Sequence, residues 1–569
     1  MGLLEAPAGA SGLGYPAVVP LRIALGQINT TIGDFDGNLA LIRQIIAHAR
    51  ADGADLVVFP ELALSGYPPL DLLERPTFVR DQAHALQALA AESRQLPIIV
   101  GAFVPAPPGG RRAISSAAVV LEGGTIAHVQ AKTLLPTYDV FDEARHFEPA
   151  TERRPWVYRG HRIGLTICED VWSGEFWGPK RSYPVDPVEE HLRMGAELIV
   201  TVSASPWEQK RNALREAMLS HAAERVGIPF VFCNLVGGND ELLFDGTSFV
   251  VDGKGRVVER LARFEEDYAV VDPFRTGEAA AGELEDDVEL LERALVLGIR
   301  DYIGKLGLER VVIGLSGGID SSVTAHLAVR ALGPDRVLGI LMPGPFSSEH
   351  SVTDARALAE NLGIGTRTVR IESIYKTFLE AYQELFGPAQ SYGLTQENLQ
   401  ARIRGTILMS VSNHEGCIVL ATGNKSELSV GYTTLYGDLV GGLAVIGDVF
   451  KRDVYRLARH ANRDGVRIPT NAIEKPPSAE LAPGQRDTDT LPPYDVLDDI
   501  LSQVIEARHP ADEIVLPPGG APENVRWVLA QLDRSEYKRR QAPIVLRVSG
   551  KAFGSGRRIP IVHRSRWGD

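Results

Sequence analysis

Residues 311–322 read VVIGLSGGIDSS, and this stretch decides the fold of the second half of the chain. A short β-branched apolar run enters a glycine-rich turn, and the turn opens into the helix-forming sequence Val323–Leu332. Strand, tight turn and helix start, in that order, hold a phosphate. Gly317 and Gly318 let the backbone approach an anion closely, and the N–H groups of the helix start point at it. No lysine follows the turn, so the pattern is not GxxxxGK[ST].

Working outward, VVIGLS, RVLGILMP, TRTVRI and GCIVLATG read as parallel strands separated by helix-length segments from about Val288 onward. Upstream, between Leu21 and about Asp272, LRIALGQI, DLVVFP, LPIIVGAFV, AAVVLEGG, IGLTIC, AELIVTVSAS and IPFVFCNLV read as strands. Asn38–Ala51 and Trp207–Val226 read as helices among them. This predicts an α/β sandwich followed by a second α/β domain with a Rossmann-like parallel sheet. Asp272–Asp287, acidic and rich in small residues, is the linker candidate. The expected division is a loose extension 1–20, a first domain 21–275, a linker 276–287 and a second domain 288–569. Within the latter, Lys475–Leu497 is dense in Pro, Asp and Thr and is either disordered or a mobile lid over 476–493.

At 569 residues the chain exceeds what one core supports. A net charge of −14 favours a small substrate over a nucleic-acid backbone. Cys168, Cys233 and Cys417 have no CxxC spacing and form no disulfide framework, which suits a reducing compartment, the cytoplasm. No apolar run approaches the ~20 residues of a membrane span. Met1–Pro20 lacks the basic start of a signal peptide.

Three residues of the first domain follow strands: Glu61 after DLVVFP, Lys132 after IAHVQA, and Cys168 at the end of RIGLTIC. Strand ends in α/β folds face a common crevice. A thiolate is a strong nucleophile, an ammonium lowers a thiol pKa, and a carboxylate accepts the proton. The lysine and the N–H of Glu169 suit the oxyanion of a tetrahedral intermediate. Taken singly, each has a plainer reading: a solvated loop carboxylate, a surface lysine, a small buried hydrophobe. The blocks FPELALSGYPP, AKTLLPTYDVFDEARHFEP and GLTICEDVW resemble the nitrilase superfamily and occur in its order. The resemblance implies Glu61 as general base, Lys132 as oxyanion stabiliser, Cys168 as nucleophile and Glu143 as the carboxylate that orients the lysine. LPTYDVFDEARHFEP and SASPWEQKR resemble the glutamine-hydrolysing branch fused to NAD synthetases, which implies Tyr138, Glu169, Ser205 and Arg211 at the glutamine. Ser205 reads equally as the cap of a helix starting near Trp207. Cys233 reads as core.

The loop GLSGGIDSS resembles the SGGxDS loop of the ATP pyrophosphatases. With LMPGPFSSEHS, ENLQARIRG, LATGNKSELSVGYTTLYGD, the Pro-rich block and RRQAPIVLRVSGKAFGSGRRIP, the second half resembles the NAD synthetases. This implies ATP on Gly314, Leu315, Ser316, Gly317, Gly318, Ile319, Asp320 and Ser321, with Thr422 at another strand end. Asp320 and Glu427 are the implied Mg²⁺ ligands. Asn398, Glu427 and Lys538 are implied at deamido-NAD. Ser321 and Ser322 serve equally as helix-start residues, Glu427 reads alone as a solvated helix carboxylate, and Lys538 lies in a basic run of the solvated type. Gly344 and Phe346 depart from the serine and tyrosine expected there. The implied reaction is ATP-dependent amidation of deamido-NAD through an acyl-adenylate, with ammonia from L-glutamine. The implied assembly is a homo-oligomer through the synthetase domain, with no nucleic-acid or membrane partner. Rival readings are an amidotransferase with another acceptor, a tRNA-modifying ATP pyrophosphatase, and a non-catalytic first domain.

Overall fold

The computed structural model describes residues 20–172, 183–209, 212–275, 279–280, 286–565 and 567. The extension before residue 20, Arg211, and residues 276–278 and 281–285 of the acidic segment lie outside them.

The β-branched runs pair into three six-stranded sheets. The first contains β1 (Ile23–Gln27), β2 (Leu56–Val58), β3 (Ile98–Pro105), β4 (Ile114–Glu122) and β5 (Thr125–Ala131), with β14 (Asp267–Val271) at its edge, in the order β14-β1-β2-β3-β4-β5. The second contains β6 (Trp156–Tyr158), β7 (His161–Ile167), β8 (Leu198–Ser203), β9 (Phe230–Asn234), β12 (Phe249–Val251) and β13 (Val257–Arg260), in the order β13-β12-β9-β8-β7-β6. A hairpin, β10 (Val236–Asn239) with β11 (Leu242–Asp245), stands apart from both. Each sheet has a parallel centre, β1-β2-β3 and β7-β8-β9, flanked by antiparallel edges.

The two sheets bury one face against each other through Leu25, Val58, Leu165, Val200 and Val231. Helices Phe35–Ala51 and Pro76–Glu92 cover the outer face of the first, and helix Asn212–Val226 covers the second. The result is an α-β-β-α sandwich. Cys233 lies inside it, its thiol against the carbonyls of Val58 (3.4 Å) and Gly26 (3.7 Å). One sequence expectation fails here. Trp207 does not start a helix; its N–H donates to Leu243 O (2.7 Å) and that of Gln209 donates to Val548 O (3.0 Å). These tertiary contacts hold residues 207–209 on a non-helical path, and the helix is described from Asn212. That removes the capping role for Ser205.

The third sheet is wholly parallel: β15 (Val311–Gly314), β16 (Val337–Leu341), β17 (Gly365–Thr368), β18 (Ile418–Ala421), β19 (Leu443–Ala444) and β20 (Ile544–Val545), in the order β17-β16-β15-β18-β19-β20. Order reverses between β15 and β18. Such a switch point opens a crevice at the carboxyl ends of the two strands.

Helix Asp287–Lys305 joins the sandwich to this sheet. Asp286 caps it by accepting from Val288 N (3.1 Å). It packs on the hairpin β10–β11 of the first half and on helices Ile319–Leu332 and Lys451–Ala461 of the second, in one apolar cluster that also holds Trp207, Phe264, Val311 and Ile313. At its far end Lys305 Nζ donates to Asn29 Oδ1 (2.8 Å), Thr30 O, Gly238 O and Asn239 Oδ1 (each 2.9 Å), all in the sandwich.

Candidate active sites

The first site sits where β7 ends. Cys168 opens a short 3₁₀ turn, Cys168–Val171, and holds φ 43°, a left-handed conformation unusual for a side-chain-bearing residue. Asp170 pins this turn. It accepts from Ile167 N (3.1 Å) on its own strand and from Thr133 N (3.0 Å) and Leu134 N (2.8 Å) just past Lys132. One carboxylate thereby locks the cysteine turn to the lysine loop. Asp170 was not singled out from sequence, because a carboxylate two residues after a cysteine carries no signal until the lysine loop is seen beside it.

Lys132 is fully buried, its Nζ 2.8 Å from Glu61 Oε1 and 2.7 Å from Glu143 Oε2. Two carboxylates on one buried ammonium keep it charged: burial works against the charge, but Glu143 and Glu61 outweigh it and raise its pKa. Glu61 also accepts from Ala204 N (3.1 Å), and Tyr67 Oη donates to Glu143 Oε1 (2.8 Å). Burial pushes Glu61 up to about 7 against the pull of Lys132. Burial, then Glu61, push the Cys168 thiol upward, and Lys132 opposes them. The resting group is therefore a thiol beside a carboxylate that can take its proton near neutrality.

A cavity opens from Cys168, lined by Tyr138, Glu169, Ser205, Arg508 and Arg547. Glu169 accepts from Tyr138 Oη (2.8 Å) and Tyr183 Oη (2.6 Å). Ser205 is fixed through its backbone, with N donating to Asn234 Oδ1 (2.9 Å). Glu61, Lys132, Cys168 and Glu143 thus form one cluster, and Tyr138, Glu169 and Ser205 surround the cavity that leads to it. Arg211 lies outside the described residues.

The second site occupies the switch point. Gly317 has φ 76°, and a Cβ there would lie 2.1 Å from Ser351 O, so this position requires glycine. Ser316 Oγ accepts from Gly318 N (3.1 Å) and lies 3.1 Å from Ser321 Oγ. Ser321 Oγ and Ser322 Oγ donate to Gly318 O (3.0 and 2.8 Å). Their side chains close the turn of helix Ile319–Leu332 on itself, while Gly314, Leu315 and Ile319 shape it. Asp320, in the first turn of that helix, accepts from Asn424 Nδ2 (2.8 Å) and from Lys451 Nζ (2.5 Å). Asn424 and Glu427 form a reciprocal capping box on helix Lys425–Val430, just past β18 and Thr422. Glu427 Oε1 lies 3.4 Å from Lys451 Nζ.

Lys451 is 1% exposed and bridges Asp320 and Glu427 across the crevice. Asp487, held by Tyr432 Oη (3.2 Å) and Tyr494 Oη (2.9 Å), adds a third carboxylate. Burial pushes Glu427 up to about 8; Lys451 pulls it down, and Asp320 and Asp487 push it further up. Asp320 and Glu427 bring hard oxygen donors together around one ammonium, with Asp487 nearby, a set that would fit a divalent cation at Asp320 and Glu427. Sequence reading did not find Lys451. In DVFKRDVYRLARHA it looks like the basic face of an amphipathic helix.

Asn398 and Lys538 meet around the loop 431–434. Thr434 Oγ1 donates to Asn398 Oδ1 (2.7 Å), and Lys538 Nζ donates to Gly431 O and Thr433 O (both 2.7 Å). The Pro-rich stretch is tied to Ser348 and Ser351, next to the glycine loop, and to helix Leu394–Glu415. Glu480 accepts from Ser348 Oγ (2.9 Å) and Ser351 Oγ (2.8 Å), Leu481 O from Gln400 Nε2 (2.8 Å), and Gln485 Nε2 donates to Glu397 Oε2 (3.1 Å). A Cβ on Gly344 would lie 2.8 Å from Arg404 Nη2, so glycine leaves room for that guanidinium.

Comparison with known proteins fixes the class. The carbon-nitrogen hydrolase family model matches residues 22–276 and the NAD synthase family model matches residues 291–542. The chain is 47% identical over 549 residues to the glutamine-dependent NAD(+) synthetase of Synechocystis sp., covering 95% of this chain and 98% of that one. It is 42% identical to the Thermotoga maritima glutamine-dependent NAD(+) synthetase, covering 96% and 99%. The solved structure of the Acinetobacter baumannii glutamine-dependent NAD+ synthetase in complex with ADP superimposes with a TM-score of 0.74 at 35% identity, over 95% of this chain and 98% of that one. Fold and sites define an amidase of the carbon-nitrogen hydrolase type joined to an NAD synthase. The chain belongs to the glutamine-dependent NAD(+) synthetases, the glutamine-hydrolysing carbon-nitrogen ligases.

Proposed function

We propose that this chain makes NAD from deamido-NAD, ATP and L-glutamine, releasing AMP, pyrophosphate and glutamate. The observation that carries the reading is the buried Glu61–Lys132–Glu143 cluster beside Cys168, in the same chain as the glycine loop and the Asp320–Lys451–Glu427 bridge.

At the first site the Cys168 proton passes to Glu61 as sulfur attacks the glutamine amide carbon. The oxyanion meets the Lys132 ammonium and the Glu169 N–H. Glu61 then protonates the leaving amine, ammonia departs, and Glu61 deprotonates the water that hydrolyses the γ-glutamyl thioester. Tyr138, Glu169, Ser205 and Arg211 hold the amino acid end; a guanidinium grips an α-carboxylate with two hydrogen bonds.

At the second site ATP phosphates lie on Gly314–Ser321, with Thr422 beside them. Asp320 and Glu427 would hold Mg²⁺, which would supply positive charge against the phosphates. Lys451, released from the carboxylates it now bridges, serves the same anionic charge. Asn398, Glu427 and Lys538 form the wall for deamido-NAD, Lys538 by holding the 431–434 loop. The deamido-NAD carboxylate attacks the α-phosphorus, pyrophosphate leaves, and ammonia displaces AMP from the adenylate. The stretch 476–493 closes the crevice against water. The domain split falls in the acidic segment 276–287. Exposed apolar side chains on helices Glu372–Phe386 and Leu394–Glu415, among them Phe378, Leu385, Phe386 and Leu394, favour pairing of two synthetase domains. Among the described residues no helix is long and apolar enough to cross a membrane, and the acidic charge favours small substrates in the cytoplasm over nucleic acid.

The test compares wild type with Cys168→Ala, using glutamine or ammonium chloride as nitrogen source. The variant is expected to make NAD only from ammonium. Glutamine cleavage by wild type with no NAD from either source would sink the acceptor assignment.

A further inference from the structure

The cavity at Cys168 is not walled by the sandwich alone. Arg508, Arg547 and Gly550 line it, and all three come from the second half of the chain, more than 200 residues beyond the end of the sandwich strands. Arg547 is the buried member. It is 3% exposed, and its Nη2 lies 2.7 Å from Asp139 Oδ2 and also hydrogen-bonds Glu208 Oε1. Both carboxylates line the cavity, one beside Tyr138 and the other three residues past Ser205.

The segment 547–551 grips the sandwich at further points. Arg547 N donates to Glu241 O (2.8 Å), Val548 O accepts from Gln209 N (3.0 Å), and Lys551 Nζ lies 3.0 Å from Asp139 Oδ1. Asp139 itself has φ 56° and begins the turn that leads to Glu143, with Phe141 N donating to Tyr138 O (3.0 Å) and Glu143 N to Pro136 O (3.1 Å). One short loop therefore carries Tyr138, whose hydroxyl holds Glu169, and Glu143, which holds Lys132. Its middle is clamped from the synthetase side. Burial opposes the Arg547 charge, and Glu208 and Asp139 overcome it, so the clamp stays ionic.

We propose that Arg547 is a positioning residue of the glutamine site: the synthetase domain completes that site by fixing the Tyr138–Glu143 loop through Asp139 and the opposite wall through Glu208. The assignment rests on the glutaminase reading above and deepens it. In this arrangement the glutamine pocket has its working shape only while the C-terminal segment is docked.

The experiment measures glutamate release and NAD formation by the full-length wild type, Arg547→Gln, Arg547→Lys, Asp139→Asn and the double variant Arg547→Gln/Asp139→Asn. Each is also titrated with iodoacetamide at Cys168, which reports nucleophile reactivity without amino acid recognition. Arg547→Gln is expected to lower kcat/KM for glutamine at least tenfold, mostly through KM. Ammonium-supported NAD formation stays within twofold of wild type, and Arg547→Lys recovers part of the loss. The double variant is expected to be no worse than the more impaired single variant, because both remove one clamp. Unchanged glutamine kinetics in Arg547→Gln would overturn the assignment, and so would an equal fall in ammonium-supported synthesis, which marks a merely structural role. If wild type releases no glutamate at all, the glutaminase reading falls and this one with it; if wild type does so and the variants match it, only the role of Arg547 falls.

Discussion

Glu61 and Glu427 are chemically alike, both are pushed up by burial, and both face a buried lysine, yet their tasks differ. Glu61, at about 7, must be ionised to accept the Cys168 proton. Below that value it is protonated and cannot act, so kcat/KM for glutamine hydrolysis is expected to rise with pH through a limb near 7. A pH profile measured on glutamate release tests this; a flat profile from pH 5.5 to 8.5 would remove Glu61 as the base. Lys451 bridges two carboxylates that are expected to receive a cation. Replacing it by Met removes the cation that bridges them, and NAD synthesis is expected to fall at least a hundredfold with glutaminase activity retained. At this scale the sequence was most readable where a residue ends a strand within a recognisable block, as Glu61, Lys132 and Cys168 do. It was least readable for Lys451, Asp170 and Arg547, whose meaning lies in partners 131, 36 and 408 residues away.

Among elements, the glycine loop was legible because its geometry is local. Alternating apolar runs, Gly-Gly and a helix start all fall within a dozen residues. Gly317→Ala is expected to lose synthesis, since φ 76° and the 2.1 Å approach to Ser351 O leave no place for a methyl group. Ammonium-supported NAD formation with unaltered ATP affinity in that variant would contradict the packing. The helix expected from Trp207 fails for the opposite reason: its sequence is helix-compatible, but contacts with Leu243 and Val548, distant in sequence, hold residues 207–209 on another path. Strands β10 to β14 escaped reading because they are three to five residues long and paired at edges or in a hairpin. The Pro-rich stretch read as either disorder or lid. It is tied to Ser348, Ser351, Gln400 and Glu397, and the lid is the role proposed for it. Deleting residues 478–489 is expected to abolish synthesis and spare glutamine hydrolysis, as judged by separate glutamate and NAD assays.

For the whole molecule, two α/β units were foreseeable from length and from the acidic break between them, but not how they join. Helix Asp287–Lys305 packs on both cores, and Lys305 ends in four oxygens of the sandwich. The two halves are therefore expected to melt in one calorimetric transition. Asp286→Ala, which removes the helix cap, is expected to cost about 1 kcal/mol and to lower that single transition without splitting it. Two resolved transitions in wild type would show the cores to be independent.

The same helix imposes an order on the birth of the protein. Domains tend to form from the N-terminus as the chain is synthesised. The first sandwich is complete at Val271, before the helix that covers Trp207, Leu243 and Phe264 has been made. A nascent chain arrested with the acidic segment just outside the ribosome would carry that apolar face bare, open to chaperones or to a second nascent chain, until residues 287–305 emerge and fold down onto it.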